Sequence, residues 1–321
     1  MNRMVAVNLL AACVLDRILG DPRWLPHPVR WMGAVIGRCD VMARKLCASP
    51  NGQRAMGVLL AAFLPGVSFG VSWWALEAAG RVHPWFGTLL WIVLGYTTLA
   101  AKDLAVHAWT VYDRLQAGSL SDARRAVSCI VGRDAGQLSE SDVARATIET
   151  VAESTSDGVI APLLYLVLGG PPLALAYKAV NTLDSMIGHP EEPYRDIGWA
   201  SAKLDDLANW APARLSAVLL VISAGFRFHR AGETWRIYRR DRFKHASPNS
   251  GHPEAAMAGA LRVQLGGPNS YDGIPVDRPR IGESHNFAHP RHIPMAIELM
   301  WLAFGLAVVL GVFVTFLWNS A

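Results

Sequence analysis

The sequence predicts an all-α polytopic integral membrane protein, with about 4–6 membrane helices, room for re-entrant segments, and helical cytoplasmic loops. Three observations carry this. Of 321 residues, 52% are hydrophobic and only 17% are charged, whereas soluble domains are about one quarter charged. Twelve tryptophans are present, a residue enriched at membrane–water boundaries. Several uncharged apolar runs are long enough, or nearly so, to cross a bilayer.

The elements follow in order. Residues 4–19 are apolar but interrupted by Asp16 and Arg17. Leu10-Ala11-Ala12-Cys13 looks like a lipoprotein signal, but the apolar run before it is at the lower limit for a signal peptide. The stretch DRILGDPRWLPHPVRWMG follows in place of a linker, so the segment is kept as a first membrane helix. Residues 55–76 are long enough to span, with Pro65 a kink. Residues 86–101 are short and uncharged. Residues 103–128 read as two helices, the first closed by Gly118 and the second opened by Ser121. Ser139 or Ser141 caps a helix over 142–153. Residues 159–180 are apolar but broken by Gly169-Gly170-Pro171-Pro172, which gives either one kinked span or two half-helices. Residues 213–226 are short. Residues 296–318 are the clearest span and end at Trp318. No internal repeat is visible, and the plan is a single membrane-embedded domain, 1–321.

The net charge of +4 is no nucleic-acid signal. The basic residues concentrate in loops 21–54, 102–145 and 227–244, which the positive-inside rule places in the cytoplasm. The last run also suits anionic lipid. Cys13, Cys39, Cys47 and Cys129 show neither zinc-finger spacing nor a disulfide framework.

The chemistry-bearing residues fall in four clusters. In the first, Asp21-Pro22-Arg23 and His27-Pro28-Val29-Arg30, prolines hold the chain extended and two arginines suit phosphate or carboxylate; lipid headgroups are the alternative partner. In the second, Glu149 and Glu153 share a helix face and Asp157 follows in a turn; a solvated helix side is the plain alternative. The third joins Lys178, Asn181, Asp184 and Ser185 to Lys203, Asp205 and Asp206 at a membrane edge. Its carboxylates suit magnesium and its lysines suit a transferring phosphoryl group. The fourth is Ser247-Pro248-Asn249-Ser250-Gly251-His252-Pro253-Glu254, a turn feeding a small-residue helix whose first amides are a candidate anion site. In that cluster His252 reads as structural, and Gly266–Tyr271 as a second flexible turn. Walker A, GxGxxG and HExxH motifs are absent.

These segments together resemble a known family. The stretches DRILGDPRWLPHPVRWMG, VGRDAGQLSESDVARATIETVAESTSDGVIAPLLY, YKAVNTLDSMIGHPEEPYRDIGWASAKLDDLANWAPARL and SPNSGHPEAAMAGALRVQLGGPNSYDG are similar to the adenosylcobinamide-phosphate synthase family of cobalamin biosynthesis, the CbiB/CobD type. The resemblance implies a multi-pass enzyme of the bacterial inner membrane with its active site on the cytoplasmic side. It implies an ATP- and Mg²⁺-dependent ligase that joins adenosylcobyric acid to an aminoalcohol phosphate. Membrane lipid and other late cobalamin-assembly enzymes are further partners, and nucleic acid is not. The sequence departs from the family pattern at Ser154, at His252 and over 189–195.

The assignment is therefore as follows. Asp184, Lys203, Asp205 and Asp206 are candidates for catalysis. Asp21, Arg23, His27, Arg30, Arg133, Asp134, Lys178, Asn181, Ser185, Ser247, Asn249, Ser250 and Glu254 are candidates for substrate or phosphate binding. Glu149, Glu153, Asp157, Asp184 and Asp205 are candidates for metal binding. A membrane transporter or non-catalytic scaffold for corrinoids is the alternative, since broken helices with polar flanks also mark transporters. That reading expects inverted-repeat symmetry, which the sequence does not show.

Overall fold

A computed structural model describes residues 2–22, 24–47, 49–189, 191–271, 273–283 and 286–317. Arg23 and Trp318 lie outside the described residues. In chain order the helices are α1 (Asn2–Leu19), α2 (Pro28–Leu46), α3 (Pro50–Val82), α4 (Pro84–Tyr96), α5 (Ala101–Gln116), α6 (Leu120–Ser128) and α7 (Glu140–Ser154). A π-helical turn, Thr155–Ile160, leads into α8 (Ala161–Ile187), α9 (Trp199–Ala208), α10 (Trp210–Phe228), α11 (Ala231–Asp241) and α12 (Gly251–Leu261). The strands β1 (Gln264–Tyr271) and β2 (Ile274–Gly282) precede α13 (His292–Leu317).

The protein is an all-α polytopic membrane protein. Five stretches among the described residues are long and apolar enough to cross a bilayer: Pro50–Val82, Pro84–Gln116, Glu140–Ile187, Trp210–Phe228 and His292–Leu317. Each contains most or all of one apolar run read from the sequence. The first run, now α1, is not among them.

Local chemistry explains the boundaries. Helices α2, α3 and α4 each have proline at the first turn, where a missing N–H breaks no helical bond. Ser49 Oγ and His83 Nδ1 accept from Gly52 N and Trp85 N, capping α3 and α4. Helix α3 continues through Pro65. Ser119, not Ser121, stands at the N-cap of α6, after Gly118 with φ +72° closes the preceding segment. Ser139 caps α7 in a reciprocal capping box with Asp142. Asp157 sits within the π-helical turn rather than in an open turn. The Gly-Gly-Pro-Pro break is real: Gly169 and Gly170 leave helical geometry, so α8 is two helical segments that meet there. Strands β1 and β2 pair antiparallel, so Gly266–Tyr271, which the sequence suggested as a flexible turn, lies in a strand.

The chain divides into two compact units. The first comprises residues 1–100, 161–209 and 308–321; the second comprises 101–160 and 210–307. In the first unit Met32 and Ile36 of α2, Leu60 and Leu64 of α3, and Leu175, Leu183 and Ile187 of α8 form a buried cluster. In the second unit α12 is buried on every side. Its glycines and alanines allow close packing: a Cβ on Gly259 would lie 3.0 Å from the backbone of Thr234 in α11. This central helix carries Glu254 inward.

Candidate functional site

In the second unit, Arg145, Glu149 and Glu153 recur every four residues and form one stripe along α7. The stripe meets β1. Glu149 accepts from Arg133 Nη2, from the amide of Gly266 at 2.7 Å, and more distantly from Arg145 at 3.5 Å. Gly266 has φ +74°, a conformation that glycine tolerates, and a Cβ there would meet Pro279 O at 2.2 Å. Arg145 Nη1 donates to Gly266 O at 2.6 Å, and its Nη2 donates to Pro268 O at 3.0 Å. Arg133 also donates to Asn269 Oδ1 at 2.6 Å. Asp134 completes the clamp, accepting from Ser270 Oγ at 2.7 Å and from Gly273 N at 2.8 Å. The side chains of Arg133, Arg145 and Glu149 are all buried.

A second layer lies against α12. Ser250 Oγ donates to Glu153 Oε1 at 2.9 Å, while Glu153 itself is exposed. Glu254 is buried, 3.8 Å from Nε2 of the half-buried His245. Burial, reinforced by the charges of Glu149 and Glu153, pushes the Glu254 carboxyl well above its ordinary range. Burial also lowers the His245 pKa, against the pull of Glu153. His245 Nδ1 accepts from Ser247 N at 3.0 Å, so its ring proton sits on Nε2, facing Glu254. Burial draws Arg133 down, but the Glu149 carboxylate more than offsets it, and the guanidinium stays charged.

The expected anion site at the start of α12 is not open. The amides of His252 and Glu254 donate to Asn249 O and Ser250 O, and those of Asn249 and Ser250 donate to Ser247 Oγ. Ser247 organises this loop.

The first unit holds the other predicted residues. Asp205 is buried and accepts from Asn209 Nδ2 at 2.9 Å; Asn209 Oδ1 accepts from Tyr177 OH at 2.9 Å. Tyr177 stacks on Tyr165 with centroids 4.8 Å apart. Lys203 and Asp206 form a solvent-facing pair at 3.3 Å. Lys178 reaches Asn181 Oδ1 at 3.5 Å, and Ser185 bonds back to Asn181 O within its own helix. Asp184 is packed against Gly188, where a Cβ would lie 2.0 Å from its Oδ1. His27 Nε2 lies 3.2 Å from Asp21, and Arg30 donates to Leu25 O. The predicted metal residues thus divide between units: Glu149 precedes the unit boundary with Glu153 and Asp157, while Asp184 and Asp205 belong to the first unit. Among the described residues, no three His, Cys, Asp or Glu side chains form a metal cage.

Residues 9–300 match the profile of the family described as CobD/Cbib protein. The chain belongs to the CobD/CbiB family. It is 47% identical over 307 residues to "Cobalamin biosynthesis protein CbiB" of Salmonella typhi, covering 95% of this chain and 96% of that one. "Cobalamin biosynthesis protein CobD" of Klebsiella pneumoniae is equally similar over the same coverage. The protein of the same name from Geobacter metallireducens is 51% identical over 275 residues, 86% of each chain. No solved structure matches.

Within this CobD/CbiB chain, sequence reasoning missed Arg145, His245, Asn269 and Arg278. Arg145 was visible as the residue four positions before Glu149. His245 and Arg278 carried no spacing signal, because they are brought together only by the hairpin and the buried helix. His252, which the sequence reads as structural, packs inside the second unit. Its ring is buried, with Nδ1 3.0 Å from Tyr238 OH and the edge of Phe243 against it. Burial, aided by Arg214 and Arg242, lowers its pKa to about 4. The unfolded chain takes up this proton near the ordinary histidine value and the folded chain only near 4, so folding weakens as pH falls through that interval. We expect His252→Phe to remove part of the stability lost between neutral pH and pH about 4.5. Thermal unfolding in detergent at both pH values checks this, and identical losses in variant and wild type would refute it.

Proposed function

We propose that this chain is a cobalamin-biosynthetic ligase of the bacterial cytoplasmic membrane. On this reading it joins the propionate carboxyl of adenosylcobyric acid to the amine of an aminoalcohol phosphate, such as 1-amino-2-propanol O-phosphate, at the expense of ATP. The product is adenosylcobinamide phosphate. Family membership supports the pathway. The observation that carries the chemistry is the buried cluster of Arg133, Arg145, Glu149, His245 and Glu254, with Arg278 close enough to act on Glu254 and His245.

A carboxylate does not condense with an amine unaided. Its oxygen attacks the γ-phosphorus of ATP, the bond to the β-phosphate oxygen breaks, and ADP leaves. The amine then attacks the acyl carbon, the carbon–oxygen bond to phosphate breaks, and the amine surrenders a proton. The chain must hold anions, exclude water and take up that proton. The arginines suit the anions because their guanidinium forks match carboxylate and phosphate. Neutral His245, whose Nε2 faces Glu254, suits proton handling. Magnesium, when bound, offsets phosphate charge; it needs only one or two carboxylates, with water and phosphate oxygens completing its shell. Glu153 fits that requirement, being exposed with a single hydroxyl on Oε1, and Asp157 lies within the next turn and is partly exposed. Glu149 is a poor fit, because Arg133, Arg145 and the Gly266 amide occupy its oxygens.

The acyl-phosphate step has a direct test. With ¹⁸O in the reacting carboxyl, one label is expected to appear in the released inorganic phosphate for each amide formed. Phosphate free of label would exclude carboxyl phosphorylation.

A further inference from the structure

Helix α11 begins three residues after Phe228, where the membrane-spanning helix α10 ends. Its Thr234, Ile237, Tyr238 and Asp241 are buried. Its other side, with the residues just beyond it, exposes Trp235, Arg236, Arg239, Arg240, Phe243 and Lys244. Aromatic rings interleaved with cations on an outward face, beside a membrane span, match the headgroup layer of an anionic bilayer.

The face also contains a shaped feature. A cavity of about 360 Å³ is lined by Arg240, Lys244, Gln264, Arg280, Gly282 and Glu283. Glu283 is taken by Arg236 at 2.7 Å. Buried Asp241 anchors Arg240 at 2.8 Å and Lys244 at 2.7 Å. Burial raises the Asp241 pKa, but hydrogen bonds from Arg240, Lys244 and the Gly282 amide more than offset that and lower it to about 2. Four cations, Arg236, Arg240, Lys244 and Arg280, therefore face two carboxylates, Asp241 and Glu283. The cavity keeps an excess of positive charge whose geometry is fixed from beneath.

We propose that the outward face of α11, with the Arg240–Lys244–Arg280 cavity at its end, binds the phosphate of an anionic phospholipid and seats this helix in the headgroup layer. This inference does not depend on the ligase reading. The full-length protein in detergent is titrated with a fluorescent phosphatidylglycerol and with phosphatidylcholine carrying the same fluorophore. Phosphatidylglycerol is expected to bind at least about tenfold more tightly, and Lys244→Gln with Arg280→Gln to weaken it by about tenfold or more, as removal of two interfacial charges predicts. Equal binding of the two lipids would overturn the proposal, as would wild-type affinity in that double variant. If that variant fails to fold, Trp235→Ala with Arg239→Gln decides, because both side chains face outward; unchanged phosphatidylglycerol affinity there is the contrary result. Displacement by millimolar inorganic phosphate as effective as by the lipid itself would make this a soluble-phosphate site and overturn the membrane assignment.

Discussion

Glu149→Gln is expected to cost about 3–5 kcal/mol of stability, because it strips the buried Arg133 guanidinium of its carboxylate, while Arg145 keeps only Asp142 at 3.1 Å. Arg133 and Arg145 both converge on this carboxylate, and the Gly266 amide of the hairpin depends on it as well. Thermal unfolding in detergent and the yield in membranes measure the loss. Removing one charge from a buried pair is worse than removing both, so Glu149→Leu with Arg133→Met should cost less than the two single losses added. A single variant as stable as wild type would show that these groups are not held in a buried network. Because this variant unfolds as well as disables, it tests the frame of the site rather than its chemistry.

Glu153→Gln tests the chemistry. Glu153 stands on the same helical stripe but is exposed, and its carboxylate accepts from the Ser250 hydroxyl. The substitution should therefore leave the unfolding temperature near that of wild type. If Glu153 helps hold magnesium at the transferring phosphoryl group, turnover falls by about 100-fold or more, and the magnesium concentration giving half-maximal rate rises. Near-native turnover at ordinary magnesium would remove Glu153 from the site.

The membrane helices were legible because apolar runs report themselves locally. Five of the six runs read from the sequence correspond to helices long enough to span, and the Gly169–Pro172 break follows from backbone chemistry alone. Glu149 and Glu153 were legible for the same reason, since i and i+4 spacing on a helix needs no tertiary information. The hairpin was not. Gly266, Gly267 and Pro268 disfavour a strand by propensity, and pairing with 274–282 overrides them. With the hairpin hidden, so were its partners: Asn269 and the carbonyls that Arg145 holds. The small-residue helix α12 was recognised as a helix, but not as the buried centre of its unit, which is what raises the Glu254 carboxyl above its ordinary range. Asp205 shows the converse. Its neighbouring acid singled it out as a candidate ligand, but the hydrogen-bonded chain with Asn209 and Tyr177 that seats it was not legible locally.

The central claim is ATP-dependent amide formation, and one measurement meets it directly. Purified full-length protein in detergent is supplied with adenosylcobyric acid, 1-amino-2-propanol O-phosphate, ATP and magnesium. The account predicts adenosylcobinamide phosphate, with one ADP and one phosphate released for each amide formed, and no product when ATP is withheld. ATP consumption without amide, or amide formation indifferent to ATP, would contradict it.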